Sequence, residues 1–140
     1  MLDTDVLVAA FRSDQGASRQ LLLAALDRRF ELLLSVPLVL EYEAVLTRPE
    51  HLAACELSAP EVVQVLDDLA SVARPVRLAY RGRPKLSDAN DEMILGTAVS
   101  GNADAKVTFN QRDFETAKRE FDCAVILPRE ALRHMRGSKS

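Results

Sequence analysis

Short apolar runs alternate with longer amphipathic stretches along the whole chain, and that alternation restricts its architecture more than any other feature. Leu2 to Val8 reads as a strand leading into a loop. A helix follows from about Ser18 to Arg29 on the stripe Leu21, Leu22, Ala25 and Leu26. Phe30 to Ser35 reads as a short buried strand. Pro37 suits an early helix position, and Val39, Leu40, Ala44 and Val45 carry that helix towards Arg48-Pro49. Ser58-Ala-Pro-Glu61 is a capping-box pattern, which opens a long helix to about Val72. Val76 to Leu78 reads as another strand, and the basic loop Tyr80 to Lys85 leads into a helix that starts within Ser87 to Glu92 and ends near Gly101. The pattern then predicts a strand over Ala105 to Thr108, a helix over Asp113 to Glu120, a strand over Ala124 to Leu127 and a final helix opened by Pro128. Such alternation predicts an α/β chain: a three-layer α/β/α arrangement with a central, mostly parallel sheet covered on both faces. With 140 residues the chain reads as one domain over residues 1–136, with a frayed tail at 137–140.

Charge and composition exclude several roles. A net charge of −3 argues against a protein that coats nucleic acid through bulk positive charge, although it permits a local basic surface. Cys55 and Cys123 lack zinc-type spacing and read as reduced thiols. His51 and His134 are isolated, so neither is assigned to a metal or to catalysis. No signal peptide is expected ahead of Leu2, and no apolar run approaches the roughly 20 residues of a membrane span. A soluble, cytoplasmic protein without a membrane partner is the expectation.

The acidic residues carry the functional signal. Asp3 and Asp5 sit in an apolar opening, although strands deplete aspartate and its burial is costly unless paired. Sites in parallel sheets form beyond the carboxyl ends of the strands. Asp3 and Asp5 fall where the first strand ends, and Glu41 lies early in the helix after the second. Asp88, Asp91 and Glu92 crowd a helix start, and Asn110 and Asp113 follow the Ala105 to Thr108 strand. These groups are expected to converge on one rim, where their repulsion calls for cations. Oxygen ligands without histidine or cysteine suit Mg²⁺ or Mn²⁺. A plainer account exists for most of them. Asp88-x-x-Asp91 and Asn110-x-x-Asp113 resemble helix N-caps, and Glu41 would be unremarkable on a helix surface. Asp3 fits the plain account least.

In these segments the chain resembles the PIN-domain ribonucleases, in particular the toxin-like group related to VapC. The carriers are Leu2 to Val8, Ser35 to Tyr42 with Leu46-Thr-Arg-Pro49, Asp88 to Leu95, Val107 to Phe114 and Val125 to Glu130. Together they run from Leu2 to about Leu132. The resemblance implies a divalent-metal-dependent endoribonuclease with Asp3, Glu41 and Asp91 as catalytic residues. It implies a metal set of Asp3, Asp91, Asp88, Asn110 and Asp113. Many relatives have aspartate where Asn110 stands, and asparagine is commoner where Asp5 stands. Asp113 is close enough in sequence to compensate. Thr4 and Thr108 are expected to hydrogen-bond water or phosphate, and Arg81, Arg83 and Lys85 to hold flanking phosphates of the RNA. The resemblance further implies an antitoxin protein encoded beside the gene and a homodimer built on the helical face. Two rival readings use the same residues. A haloacid-dehalogenase-like phosphatase would take Asp3 as nucleophile and Asp5 as acid/base, and would leave Glu41 without a role. A non-catalytic, degenerate PIN domain would bind partners, with Asn110 marking lost metal affinity.

Overall fold

The computed structural model describes residues 1–13, 16–77, 97, 101, 103–110 and 124–137. Within them the chain is α/β. The order is α1 (Thr4–Arg12), α2 (Ala17–Leu26), β1 (Leu33–Leu34), α3 (Val36–Leu46), α4 (Pro49–Cys55), α5 (Ala59–Val72), β2 (Arg74–Pro75), β3 (Ala105–Val107), β4 (Ala124–Ile126) and α6 (Pro128–Gly137).

The strands are short and parallel. β1 pairs with β2, Leu33 opposite Arg74 and Leu34 opposite Pro75. β3 pairs with β4, Ala105 opposite Ala124 and Val107 opposite Ile126. Residues 1–3 add a third parallel segment on the other edge of β3: Val107 donates its amide to the Met1 carbonyl at 2.9 Å, and Asp3 donates to the Val107 carbonyl at 2.9 Å. Every paired strand therefore delivers its carboxyl end in the same direction as its neighbour.

The opening of the chain differs from the sequence expectation. Only Leu2 makes a β-bridge, and Leu2 to Val8 is not a strand, because α1 begins at Thr4. The reason is periodic: Val6, Leu7, Ala10 and Phe11 recur at helical spacing and are buried together. Asp3 supplies the matching start signal, because its carboxylate accepts the first helical amide. The helix expected towards Arg48-Pro49 is present, and a further short helix follows it. α3 ends at Leu46, and Pro49 starts the unpredicted α4, which stops where Glu56 takes a left-handed conformation at φ 58°. The strand expected over Val76 to Leu78 appears earlier, at Arg74–Pro75, with Val76 adding one amide bond to the Leu34 carbonyl at 2.7 Å.

Other expectations hold. The capping box at α5 is formed, Ser58 Oγ accepting from the Glu61 amide and Glu61 Oε1 from the Ser58 amide. β3, β4 and the Pro128 start of α6 fall where the pattern puts them. The helices expected over 113–120 and from 87 lie outside the described residues, except that Thr97 is helical and Gly101 turns by donating to the Thr97 carbonyl at 3.0 Å. Residues 138–140 of the expected tail also lie outside them.

α1 runs through the middle of the core. Its buried face meets Leu21, Leu22 and Ala25 of α2, and the same cluster takes in Leu38, Tyr42 and Leu46 of α3 and Val62, Leu66 and Leu69 of α5. Gly101 is set so close to β1 and β2 that an added Cβ would lie 2.8 Å from Val76 Cγ2 and 2.9 Å from Leu33 Cδ1. Only glycine fits there without displacing packed side chains. Among the described residues no helix is long and apolar enough to cross a membrane.

Candidate active site

Asp3 stands where a strand-like segment becomes a helix. Its amide completes the ladder with Val107, and its side chain then turns onto α1. One carboxylate oxygen, Oδ1, accepts from the Thr4 amide at 2.8 Å. The other, Oδ2, accepts from the Thr108 hydroxyl at 2.7 Å. Thr108 is fully buried and is itself fixed by its amide, which donates to the Ile126 carbonyl at 3.0 Å. Residues 105 positions apart are thus joined beyond the carboxyl ends of adjacent strands.

Asp5 converges on the same hydroxyl. Its Oδ2 lies 3.2 Å from Thr108 Oγ1 and accepts the Phe109 amide at 3.1 Å. Thr108 has one hydroxyl proton, and the shorter contact gives it to Asp3. The Asn110 amide also donates to Thr108 Oγ1, at 3.0 Å. Asp5 therefore has the weaker hold on that proton and lies beside a second carboxylate. Burial, then the charge of Asp3, push its pKa up to about 6, against the lowering effect of the Phe109 amide and the Thr108 hydroxyl.

Tyr42 ties α3 to this centre. Its fully buried phenol donates to the Leu2 carbonyl, one residue before Asp3. Burial, reinforced by the charge of Asp3, holds the phenol well above its ordinary pKa, so it remains a donor. Glu41, half-buried, precedes Tyr42 on the same helix.

Of the site residues predicted from sequence, Asp3, Thr4, Thr108 and Asn110 are brought together. Asp88, Asp91, Asp113, Arg81, Arg83 and Lys85 lie outside the described residues. Asp3 turns out to be a cap after all, contrary to the expectation that its context was a strand. Asp5 was expected on the acidic rim beside Asp3 and was given no metal-ligand role, whereas Tyr42 was not anticipated, because its contact crosses 40 positions and leaves no local signal.

A hard divalent cation is the group this chemistry calls for. Among the described residues no three acidic, histidine or cysteine side chains gather into a metal-holding group. What they do offer is oxygen alone: two crowded carboxylates, one with a strongly raised pKa, and the buried Thr4 hydroxyl, whose Oγ1 has no hydrogen-bond partner there. That donor set fits Mg²⁺ or Mn²⁺ and does not fit a soft metal.

The family described as PIN domain matches residues 1–112. No curated protein and no solved structure matches the chain.

Proposed function

The chain belongs to the PIN-domain family, whose fold is of the nuclease type, and from that premise we propose that it is a divalent-metal-dependent endoribonuclease. We read it further as the toxin of a toxin–antitoxin pair, a cytoplasmic homodimer silenced by its cognate antitoxin. On this reading the two parallel strand groups belong to one central sheet of a three-layer α/β/α domain over residues 1–136.

The observation that carries the proposal is the convergence of Asp3 and Asp5 on Thr108. Capping needs one oxygen, and the second carboxylate, although it accepts the Phe109 amide, brings a repulsion that a bound cation would offset. Asp3 and Asp91 would hold it, with Asp88, Asn110 and Asp113 completing the set. When bound, Mg²⁺ or Mn²⁺ lowers the pKa of a water and offsets charge on the leaving oxygen. Glu41 orients that water and takes its proton. Thr108 fixes the rotamer of Asp3, so the carboxylate is preorganised. Thr4 hydrogen-bonds water or phosphate. Arg81, Arg83 and Lys85 hold the phosphates on either side of the cut. Neither rival reading gains an observation: nothing among the described residues singles out Asp3 as a phosphate-accepting nucleophile or marks the centre as dead.

The test is cleavage of a labelled, single-stranded RNA pool with Mg²⁺ or with EDTA, by the wild type and by Asp3→Asn. Magnesium-dependent fragments from the wild type and at least a hundredfold less from Asp3→Asn are expected, since a metal-bound ligand supplies several kcal/mol. Equal cleavage by the two proteins, or cleavage indifferent to EDTA, overturns the reading. Growth arrest on expression, relieved by the adjoining gene, tests the toxin role separately.

A further inference from the structure

Phe109 is out of place by the ordinary rule for aromatics. Among the described residues Phe11 and Tyr42 are buried and Phe30 is half-buried, yet Phe109 is 51 % exposed. Its root is nevertheless held firmly. The Phe109 amide donates to Asp5, and the residue before it is bonded to Asp3 and to the Ile126 carbonyl. An exposed ring on an immobilised backbone, one residue from the acidic centre, is a preformed contact surface.

The ring lines a groove of about 440 Å³. Its other walls include Leu127, Pro128 and Arg129 at the start of α6, and Gly16 and Ala17 at the start of α2. α2 presents its N-terminal, electropositive end, which Gly16 has no side chain to cap, whereas at the start of α6 the Glu130 carboxylate accepts the Leu127 amide and offsets that helix end. Arg129 is exposed and adds a full positive charge. The groove therefore sets an aromatic face, the open start of α2 and the Arg129 charge directly beside a carboxylate centre that repels anions. Its size is in the range of small-ligand clefts.

We infer that this groove is a nucleotide subsite: Phe109 stacks on an unpaired base adjoining the phosphate to be cut, and Arg129 meets that nucleotide's own phosphate. Stacking on an aromatic face tolerates any base but requires a base free of its duplex, so the substrate class is single-stranded RNA. The inference rests on the ribonuclease reading for the position of the cut, not for the groove's own chemistry.

The chain contains no tryptophan, so Phe109→Trp installs a single reporter at the ring position. In an Asp3→Asn background with Mg²⁺, titration with a randomised single-stranded RNA 12-mer is expected to quench the indole emission saturably. A 12-mer of abasic sugar-phosphate is expected to leave the emission unchanged. In the wild-type background, Phe109→Ala should raise KM for RNA cleavage about tenfold with little change in kcat, and Phe109→Tyr should restore it. Arg129→Ala should flatten the salt dependence of RNA binding. Emission that ignores RNA while the RNA still binds, or Phe109→Ala with wild-type KM, overturns the subsite and leaves the nuclease reading intact. Emission that responds to protein concentration and not to RNA makes the groove a contact between copies and likewise overturns it. Base-dependent quenching by a protein that cuts no RNA keeps the subsite and overturns the nuclease reading.

Discussion

α1 and α3 both begin on a polar cap tied to a distant threonine, and they differ in the amide that is capped, the first of α1 and the third of α3, and in the charge of the cap. Ser35 caps α3: its Oγ accepts the Leu38 amide at 3.2 Å and lies 2.7 Å from the buried hydroxyl of Thr97. Asp3 caps α1: it accepts the Thr4 amide at 2.8 Å and the buried hydroxyl of Thr108 at 2.7 Å. Each cap follows a short parallel segment and is locked by a threonine from far along the chain. Serine and aspartate cap about equally well, so capping alone does not require a charge at the first site. The molecule thus contains its own control. Ser35 shows what the junction needs for folding, and the carboxylate at Asp3, with Asp5 beside it, is surplus to that need. Burying surplus charge is costly, and the raised pKa of Asp5 registers that cost.

If the comparison is right, giving α1 the cap of α3 should separate stability from activity. Asp3→Ser is expected to fold, with an unfolding midpoint within a few degrees of wild type, while RNA cleavage falls at least a hundredfold. Retained cleavage would make the two caps equivalent and break the comparison. The two threonines offer the next contrast. Thr108→Val removes the hydroxyl bonded to Asp3 Oδ2 and to the Asn110 amide, and should lower cleavage ten- to hundredfold as loss of an orienting group does. Thr97→Val should cost about 1 kcal/mol in urea unfolding and leave kcat unchanged. Equal effects on kcat would assign both threonines to folding alone.

The smallest expected effect is a pH dependence. Unfolded Asp5 loses its proton near pH 4, and folded Asp5 near 6. Between those values the folded state holds more protons than the unfolded one, so stability falls as pH rises and the penalty is complete above 6. Asp5→Asn, which mimics the protonated form, should therefore stabilise the metal-free protein at pH 7.5 by about 1 kcal/mol or less, because solvent screens a part-exposed group. At pH 4 the advantage should vanish. An equal gain at both values would mean that packing, not charge, sets the difference.

Much of this arrangement was legible in the sequence, and the unread part has a common cause. Strand–helix alternation gave the α/β class, and local signatures such as Ser58-Ala-Pro-Glu61 and Pro128 placed helix starts because capping acts over three or four residues. Asp3, Thr108 and Asn110 were legible as candidates for one rim, and the structure places them together. The bonds among them were not, because a hydroxyl shared across 105 positions leaves no local pattern. The error over Leu2 to Val8 arose where two periods overlap. A short apolar opening suits a strand, and only the spacing of Ala10 and Phe11 reveals the helix. Phe109 was passed over because exposure is invisible in a sequence.

The ladder between residues 1–3 and β3 also sets a clock. Asp3 emerges first during synthesis, and the threonine that fixes it arrives more than a hundred residues later. At about 5–20 residues per second, the opening acids wait on the order of 5–20 s before their partner exists. Closing so distant a contact is in addition slow relative to forming local helices. The carboxylate centre therefore cannot assemble on a partly translated chain that has not reached Thr108. On the proposed ribonuclease reading, the messenger being read is spared by a nascent copy until its own translation is largely complete.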